Sequence, residues 1–275
     1  MGSRRRPPSS PNPGGGAGVP EGAGGKPRAA ADRARAHQQP GRVPLILAGP
    51  RGFSRGIEID WAKWARHIEA RRRKLPPVQP LPMAGSRLSY ATATFTSFSL
   101  EGLDVSQADI DAALTTGPLR RAFRARQFQR IRNHVAILRL LDRSLRRGDP
   151  LRPHTVLRWY TSVSCGLSTM QLTGAANDRL VDIVERMNSP ELRLQAGIQQ
   201  VARLHAQLLA DPIVPSFNGI LARLLLRYHL GRCGLPPVQF HPQTPVQAMT
   251  NANVLLPLLL ELLEESYEEL LRTSP

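Results

Sequence analysis

Cysteine is scarce in this chain. Cys165 and Cys233 are its only two, and they share no short spacing with each other. A disulfide framework and a zinc ribbon are both excluded, and each thiol is expected to be buried and inert in a reducing cytoplasm. Long apolar runs are also missing. The longest, Val254 to Leu263, contains Pro257 and Glu261, well short of the roughly 18 apolar residues a membrane span needs. Arg4–Arg6 are followed by Pro, Ser and Gly where a signal peptide needs an apolar stretch. The expectation is a soluble, intracellular protein with no membrane partner. There is no strand–helix alternation, no Gly-rich phosphate loop after a strand and no internal repeat.

Charge of one sign is abundant but unevenly placed. The chain has 37 Lys and Arg against 21 Asp and Glu, a net of +16. Residues 1–75 hold 16 basic and 5 acidic side chains, a net of +11, which leaves only +5 for residues 76–275. The basic character therefore belongs mainly to the first quarter of the chain. Residues 1–50 contain 10 Gly and 9 Pro with few large apolar groups. Such a segment cannot bury enough surface to offset its ordering entropy, so a disordered basic tail is predicted. It could serve as a contact arm for an acidic partner, nucleic acid included.

Residues 51–84 read as a short helix and a Pro-rich connector. Trp61, Trp64, Ala65 and Ile68 share one face around Ile57–Lys74, and Pro76 to Pro82 is stiff. From 85 to 275 the pattern is helical almost throughout. Asp104 to Leu114 is a loop and a short helix, and Arg120 to Arg147 is a long helix carrying ten arginines. Alternating arginine around an apolar stripe fits a solvated surface better than a phosphate-binding face. Further helices are predicted at 154–164, 177–188, 191–210, 217–233 and 251–272. The last pairs a leucine face with Glu261, Glu264, Glu265, Glu268 and Glu269. It would close the core or form a dimer face, with Pro257 in its first turn. Ser162 to Thr173, mixing Val163, Leu167, Met170 and Leu172 with Ser, Thr and Gly, could form a small β-hairpin. The class is all-α, with about seven to nine helices in the core.

Two fragments carry more. Arg203-Leu204-His205 leads through Asp211-Pro212-Ile213-Val214-Pro215-Ser216 to Phe217-Asn218-Gly219-Ile220-Leu221-Ala222-Arg223-Leu224-Leu225, and then to Gly234-Leu235-Pro236-Pro237. This resembles the central loop and helix of Fic (Fido) domain proteins, H-P-F-x-D-G-N-G-R-x-x-R-L-L followed by G-x-P-P. Earlier in the chain, Ser97-Phe98-Ser99-Leu100-Glu101-Gly102 resembles S/T-x-x-x-E-G, the inhibitory helix motif of one Fic subclass. The resemblance spans roughly residues 88–272. It implies that Ser162 to Thr173 is a target-docking flap and that His205 stands behind the site.

The resemblance also implies a division of labour. The motif histidine is the general base for the target hydroxyl, and the carboxylate four positions on holds Mg²⁺. The Gly-Asn-Gly stretch offers N–H donors at a helix start, and two arginines hold the phosphates of ATP. A gapless alignment puts Pro212 at the base, Ser216 at the carboxylate, Phe217 at the first glycine and Ile220 at the first arginine. A one-residue slip puts Asp211 at the base, where a carboxyl titrating near about 4 is a poor one unless burial raises it. Asn218, Gly219 and Arg223 remain as an anion-binding remnant. The implied protein is a Fic-fold pseudoenzyme acting as a binding or regulatory module through a protein partner. Neither ATP nor Mg²⁺ is expected as a cofactor, and no metal ligand set is present. Phe217 and Ile220 are expected to fill the anion pocket, and Glu101 to point at Arg223. Two alternatives stay open: an enzyme rebuilt around Asp211, Ser216, Asn218 and Arg223 that transfers a nucleotidyl, phosphoryl or other group, and a nucleic-acid-associated helical protein.

Overall fold

Every regular element among the described residues is a helix, and the spacing of apolar side chains explains most of them. The structure, a computed structural model, describes residues 59–75, 87–115, 122–165, 172–190 and 193–273. Within them ten helices follow in order: α1 (Trp61–Arg72), α2 (Arg87–Ser99), α3 (Gln107–Thr115), α4 (Ala122–Arg147), α5 (Pro153–Ser164), α6 (Gly174–Asn188), α7 (Leu194–Ala210), α8 (Asn218–Arg232), α9 (Val246–Thr250) and α10 (Ala252–Thr273). Segment 1–50 and the connector Pro76–Pro82 lie outside the described residues.

Local chemistry fixes the ends of these helices. The Asp60 carboxylate accepts from the Lys63 amide at 2.9 Å and starts α1. The Thr173 hydroxyl does the same for α6 through Ala176, and Pro153 opens α5, where its missing N–H is not needed.

Two expectations are corrected. Ser162, Val163 and Ser164 do not form a hairpin. They are the last turn of α5, because Val156, Trp159, Tyr160 and Val163 recur at three- and four-residue spacing and are all buried. The rest of that stretch, 166–171, lies outside the described residues. Pro257 sits beyond the first turn of α10. Asn251 begins that helix earlier, its side chain accepting from the Asn253 amide at 2.9 Å while its carbonyl accepts from Leu255 at 2.8 Å. The proline therefore removes one internal hydrogen bond.

The helices enclose two apolar clusters. One lies under α2 to α6, and the other under α1, α9 and α10. The α7–α8 pair is the wall between them: Leu204, Leu208, Ile220, Leu224 and Leu225 face the first, while Val201, Ala202, Leu226 and Leu230 face the second. Helix α10 closes the second cluster with Leu255, Leu259, Leu262 and Leu263. Residues Gly219 to Ala222 and Leu224 to Leu230 of α8 are all buried, so the part of the helix that carries Arg223 and Arg227 runs through the middle of the molecule.

The deeper of those arginines is neutralised on the spot. The Arg227 guanidinium grips the Asp142 carboxylate of α4 through both oxygens at 2.9 Å, and Tyr90 of α2 donates to the same carboxylate at 2.7 Å. Burial, followed by that carboxylate, pushes the Tyr90 phenol up to about 12, so it stays a donor. Removing one member of such a pair strands a buried charge, which costs about 3–5 kcal/mol, whereas replacing both with apolar residues costs far less. Asp142→Ala should therefore lower the stability measured by urea unfolding by an amount of that order. Asp142→Leu combined with Arg227→Met should recover most of the loss.

Candidate functional site

The site resembled in the sequence is built from the end of α2, the loop 211–217 and the start of α8. Ser97 and Glu101 lie four residues apart, on one face of α2 and the turn that continues it, and both reach Arg223. The Arg223 guanidinium donates from Nε to the Ser97 hydroxyl at 2.8 Å and from Nη2 to the Ser97 carbonyl at 2.7 Å and to Glu101 Oε1 at 3.0 Å. Both charged side chains are largely buried, at 10% and 19% exposure. Burial pulls the Arg223 pKa down, and the Glu101 charge opposes it.

Gly102 has a physical role next to this pair. Its φ is +69°, the left-handed position that ends α2. Leu103 N–H donates to the Phe98 carbonyl and Gly102 N–H to that of Ser99, both at 3.0 Å. The chain thus turns away one residue after Glu101 and leaves the carboxylate projecting toward α8. That carboxylate lies against Gly219, where an added Cβ would fall inside it. The anionic group at the start of α8 is the protein's own.

The loop residues are placed as follows. Asn218 spends its side chain on the loop: Oδ1 accepts from the Ile213 amide at 3.2 Å and Nδ2 donates to the Leu208 carbonyl at 2.7 Å. Asp211 is exposed and pairs with Arg179 of α6 at 2.8 Å. Pro212 is exposed. Ser216 is exposed, its hydroxyl 3.4 Å from the Tyr160 hydroxyl. Phe217 and Ile220 both pack against the first apolar cluster. Ile220 is a core residue at 1% exposure, and Phe217 is half-buried with the Arg130 guanidinium over its ring at 4.9 Å from the centroid. Phe217 is nevertheless held at φ 56°, ψ 20°, a left-handed conformation that costs a residue with a Cβ about 1–2 kcal/mol.

Behind the loop, His205 is a core residue. Its Nδ1 lies 3.2 Å from the Ala222 carbonyl and its ring stacks on Phe240 at 5.7 Å. His134 of α4 is equally buried, with its Nδ1 2.9 Å from the Thr94 hydroxyl. Burial, and then the nearby Arg223, pulls both rings down to about 3, and burial alone pulls His229 down to about 4. A cavity of about 40 Å³ lies beside Arg223 and Arg227, lined by Ser97, Thr96, His134 and Phe240. That is room for a water or two and not for a nucleotide. Cys165 and Cys233 are half-buried rather than fully so, and burial raises both thiols, Cys233 to about 11. Among the described residues no group of three His, Cys, Asp or Glu could hold a metal ion. No described helix is long and apolar enough to cross a membrane.

The Tyr90–Asp142–Arg227 network and the Arg130–Phe217 contact are not among the residues picked out from sequence. One signal for the first was available: Asp142 is the only acid in α4.

Two outcomes follow. In a cycle of Glu101→Ala, Arg223→Ala and the double variant, followed by thermal melts, the double should cost less than the sum of the singles by about 1–3 kcal/mol. Strict additivity would remove the pairing. The histidines set an acid limit. Unfolded, each ring titrates near 6.5, about as in a free peptide, and folded it takes a proton only near 3 or 4. Between those values the unfolded chain binds more protons, so stability falls as pH drops below about 6.5, by up to ~1.4 kcal/mol per pH unit per ring. Urea midpoints measured from pH 7 to pH 4 should show this slope, and it should be shallower in His229→Leu.

No family model matches the sequence, and no curated protein matches it. Solved structures match in shape. Two structures of Fic-1 from C. elegans give TM-scores of 0.60 and 0.59 at 20% identity. They cover 78% and 76% of this chain and 72% and 71% of their own. A Fic domain containing signaling protein from Bacteroides thetaiotaomicron gives 0.58 at 16% identity, covering 76% of this chain and 96% of that one. At such identities a likeness speaks for the backbone alone, and what it says is that the all-α core of this chain has the Fic fold.

Proposed function

We propose that this chain is a Fic-fold protein that does not transfer AMP and acts as a binding or regulatory module for a protein partner in the cytoplasm. The observation that carries the reading is the Glu101 carboxylate, which lies against Gly219 at the start of α8 and is hydrogen-bonded to the buried Arg223. A phosphate would meet negative charge there instead of open N–H donors.

ATP and Mg²⁺ do not fit the groups present. The position for the base holds Pro212 or Asp211, and Asp211 is already paired with Arg179. The position for the metal carboxylate holds Ser216, whose neutral hydroxyl is a weak ligand for a hard dication. The position of the first arginine holds the buried Ile220. A rebuilt transferase finds three of its four residues at other work: Asn218 holds the loop, Asp211 pairs with Arg179 of α6, and Arg223 is held by Ser97 and Glu101.

A thermal-shift panel of nucleotides with Mg²⁺ tests this, on the wild type and on Glu101→Gly. The expected result is no stabilisation of either protein. An ATP-dependent rise in melting temperature, larger in Glu101→Gly, would mean that Arg223 still receives phosphate once freed. The rebuilt-enzyme reading would then take over.

A further inference from the structure

Two exposed helix faces of this molecule carry opposite charge. On α4 the solvent side runs through Arg126, Ala136, Leu140, Arg143 and Arg147. Ala136, Leu140, Arg143 and Arg147 follow at four, three and four, and Arg126 stands fourteen residues before Leu140, which keeps them on one face. Leu140 is 47% exposed. The one acid of the helix, Asp142, is turned inward to Arg227. Among the described residues Arg126, Arg143 and Arg147 have no ion-pair partner.

On α10 Val254, Leu258, Glu261 and Glu265 follow at spacings of four, three and four; Val254 and Glu265 are exposed, while Leu258 and Glu261 are half-buried at the edge of that face, Leu258 against the second apolar cluster. Val254 is 45% exposed, and no Lys or Arg occurs between Ala252 and Leu271. Glu261 is half-buried with its pKa raised by burial and then by Glu265 and Glu264. The nearest cation of Glu265 is His241 at 3.9 Å, charged only when protonated.

We propose that the acidic face of α10 in one copy docks along the basic face of α4 in a second copy, Val254 and Leu258 meeting Leu140 and Glu261 meeting Arg147. The register supports it. Leu140 to Arg147 and Val254 to Glu261 are both seven residues, about 10 Å along a helix. Parallel docking therefore aligns the apolar anchors and the charge pair together, and the anchors shield the pair from water. Because the two faces differ, the contact is heterologous. Each copy offers one of each, and association runs head to tail. A phosphate backbone on α4 would leave Leu140 unused and the acidic face without a partner.

Sedimentation velocity on the full chain, across concentration and salt, tests this. The wild type should self-associate at low salt, with affinity falling by about tenfold or more at high salt. Arg143→Gln/Arg147→Gln lacks only the basic face, and Glu261→Gln/Glu265→Gln lacks only the acidic one. Each should be monomeric alone, and an equimolar mixture should form a pair and grow no further, since one intact contact remains. Arg143, Arg147 and Glu265 are exposed and Glu261 is half-buried; glutamine keeps the shape of glutamate there, so both variants should melt like the wild type, and Leu140→Gln gives a second, uncharged probe of the same contact. A wild type that stays monomeric at low salt overturns the proposal, as does a mixture that fails to pair. Loss of duplex DNA binding in Arg143→Gln/Arg147→Gln with self-association intact would give the α4 face to nucleic acid instead.

Discussion

A buried guanidinium has to be met by polar groups from somewhere, and in this molecule that requirement organises the centre. Helix α8 is enclosed by apolar neighbours along most of its length, yet it carries Arg223 and Arg227 one turn apart. Neither can be left unpaired at tolerable cost. Arg223 takes its partners from α2 and Arg227 from α4, with Tyr90 of α2 completing the second set. The relative placement of three helices is thus tied to two side chains. Apolar packing alone would hold the same helices with far less say over register, since leucine contacts tolerate sliding in a way that a two-oxygen grip on a guanidinium does not.

The same economy runs through the loop before α8. Asn218 closes it on the carbonyl of Leu208 and the amide of Ile213, and Phe217 keeps a left-handed backbone under Arg130. The side chains of this loop are engaged in holding its shape. A fold can persist in this way at 20% identity or below, because backbone geometry is maintained by a few satisfied hydrogen bonds and a filled core, and these can be met by residues other than those the chemistry requires.

Much of this is legible in the sequence where periodicity is strong. The boundaries of α5, α6, α7 and α8 lie within a few residues of those predicted, and the order of the two motif fragments leads to the fold. The misses have physical causes. Ser162 to Ser164 suggests a strand because small polar and β-branched residues dominate locally, but tertiary burial of Val163 in step with Val156, Trp159 and Tyr160 decides for helix. Pro257 reads as a first-turn proline only if the cap at Asn251 goes unnoticed. Glu101 and Arg223, 122 residues apart, are connected through a motif and not through spacing. Asp142 and Arg227 have no motif to link them; the one hint is that Asp142 is the only acid of α4, and nothing local says which cation it meets.

The closeness of Glu101 to Gly219 has a consequence for how this protein can drift over generations. Because a Cβ on residue 219 would collide with the carboxylate, the two positions are not free to vary separately. A Cβ at 219 would push the Glu101 carboxylate aside and crowd the Arg223 guanidinium as well, so a lineage that keeps their contact as it stands keeps glycine at 219. Among descendants of this chain the pair should covary, with glycine at 219 recording whether the carboxylate is still there.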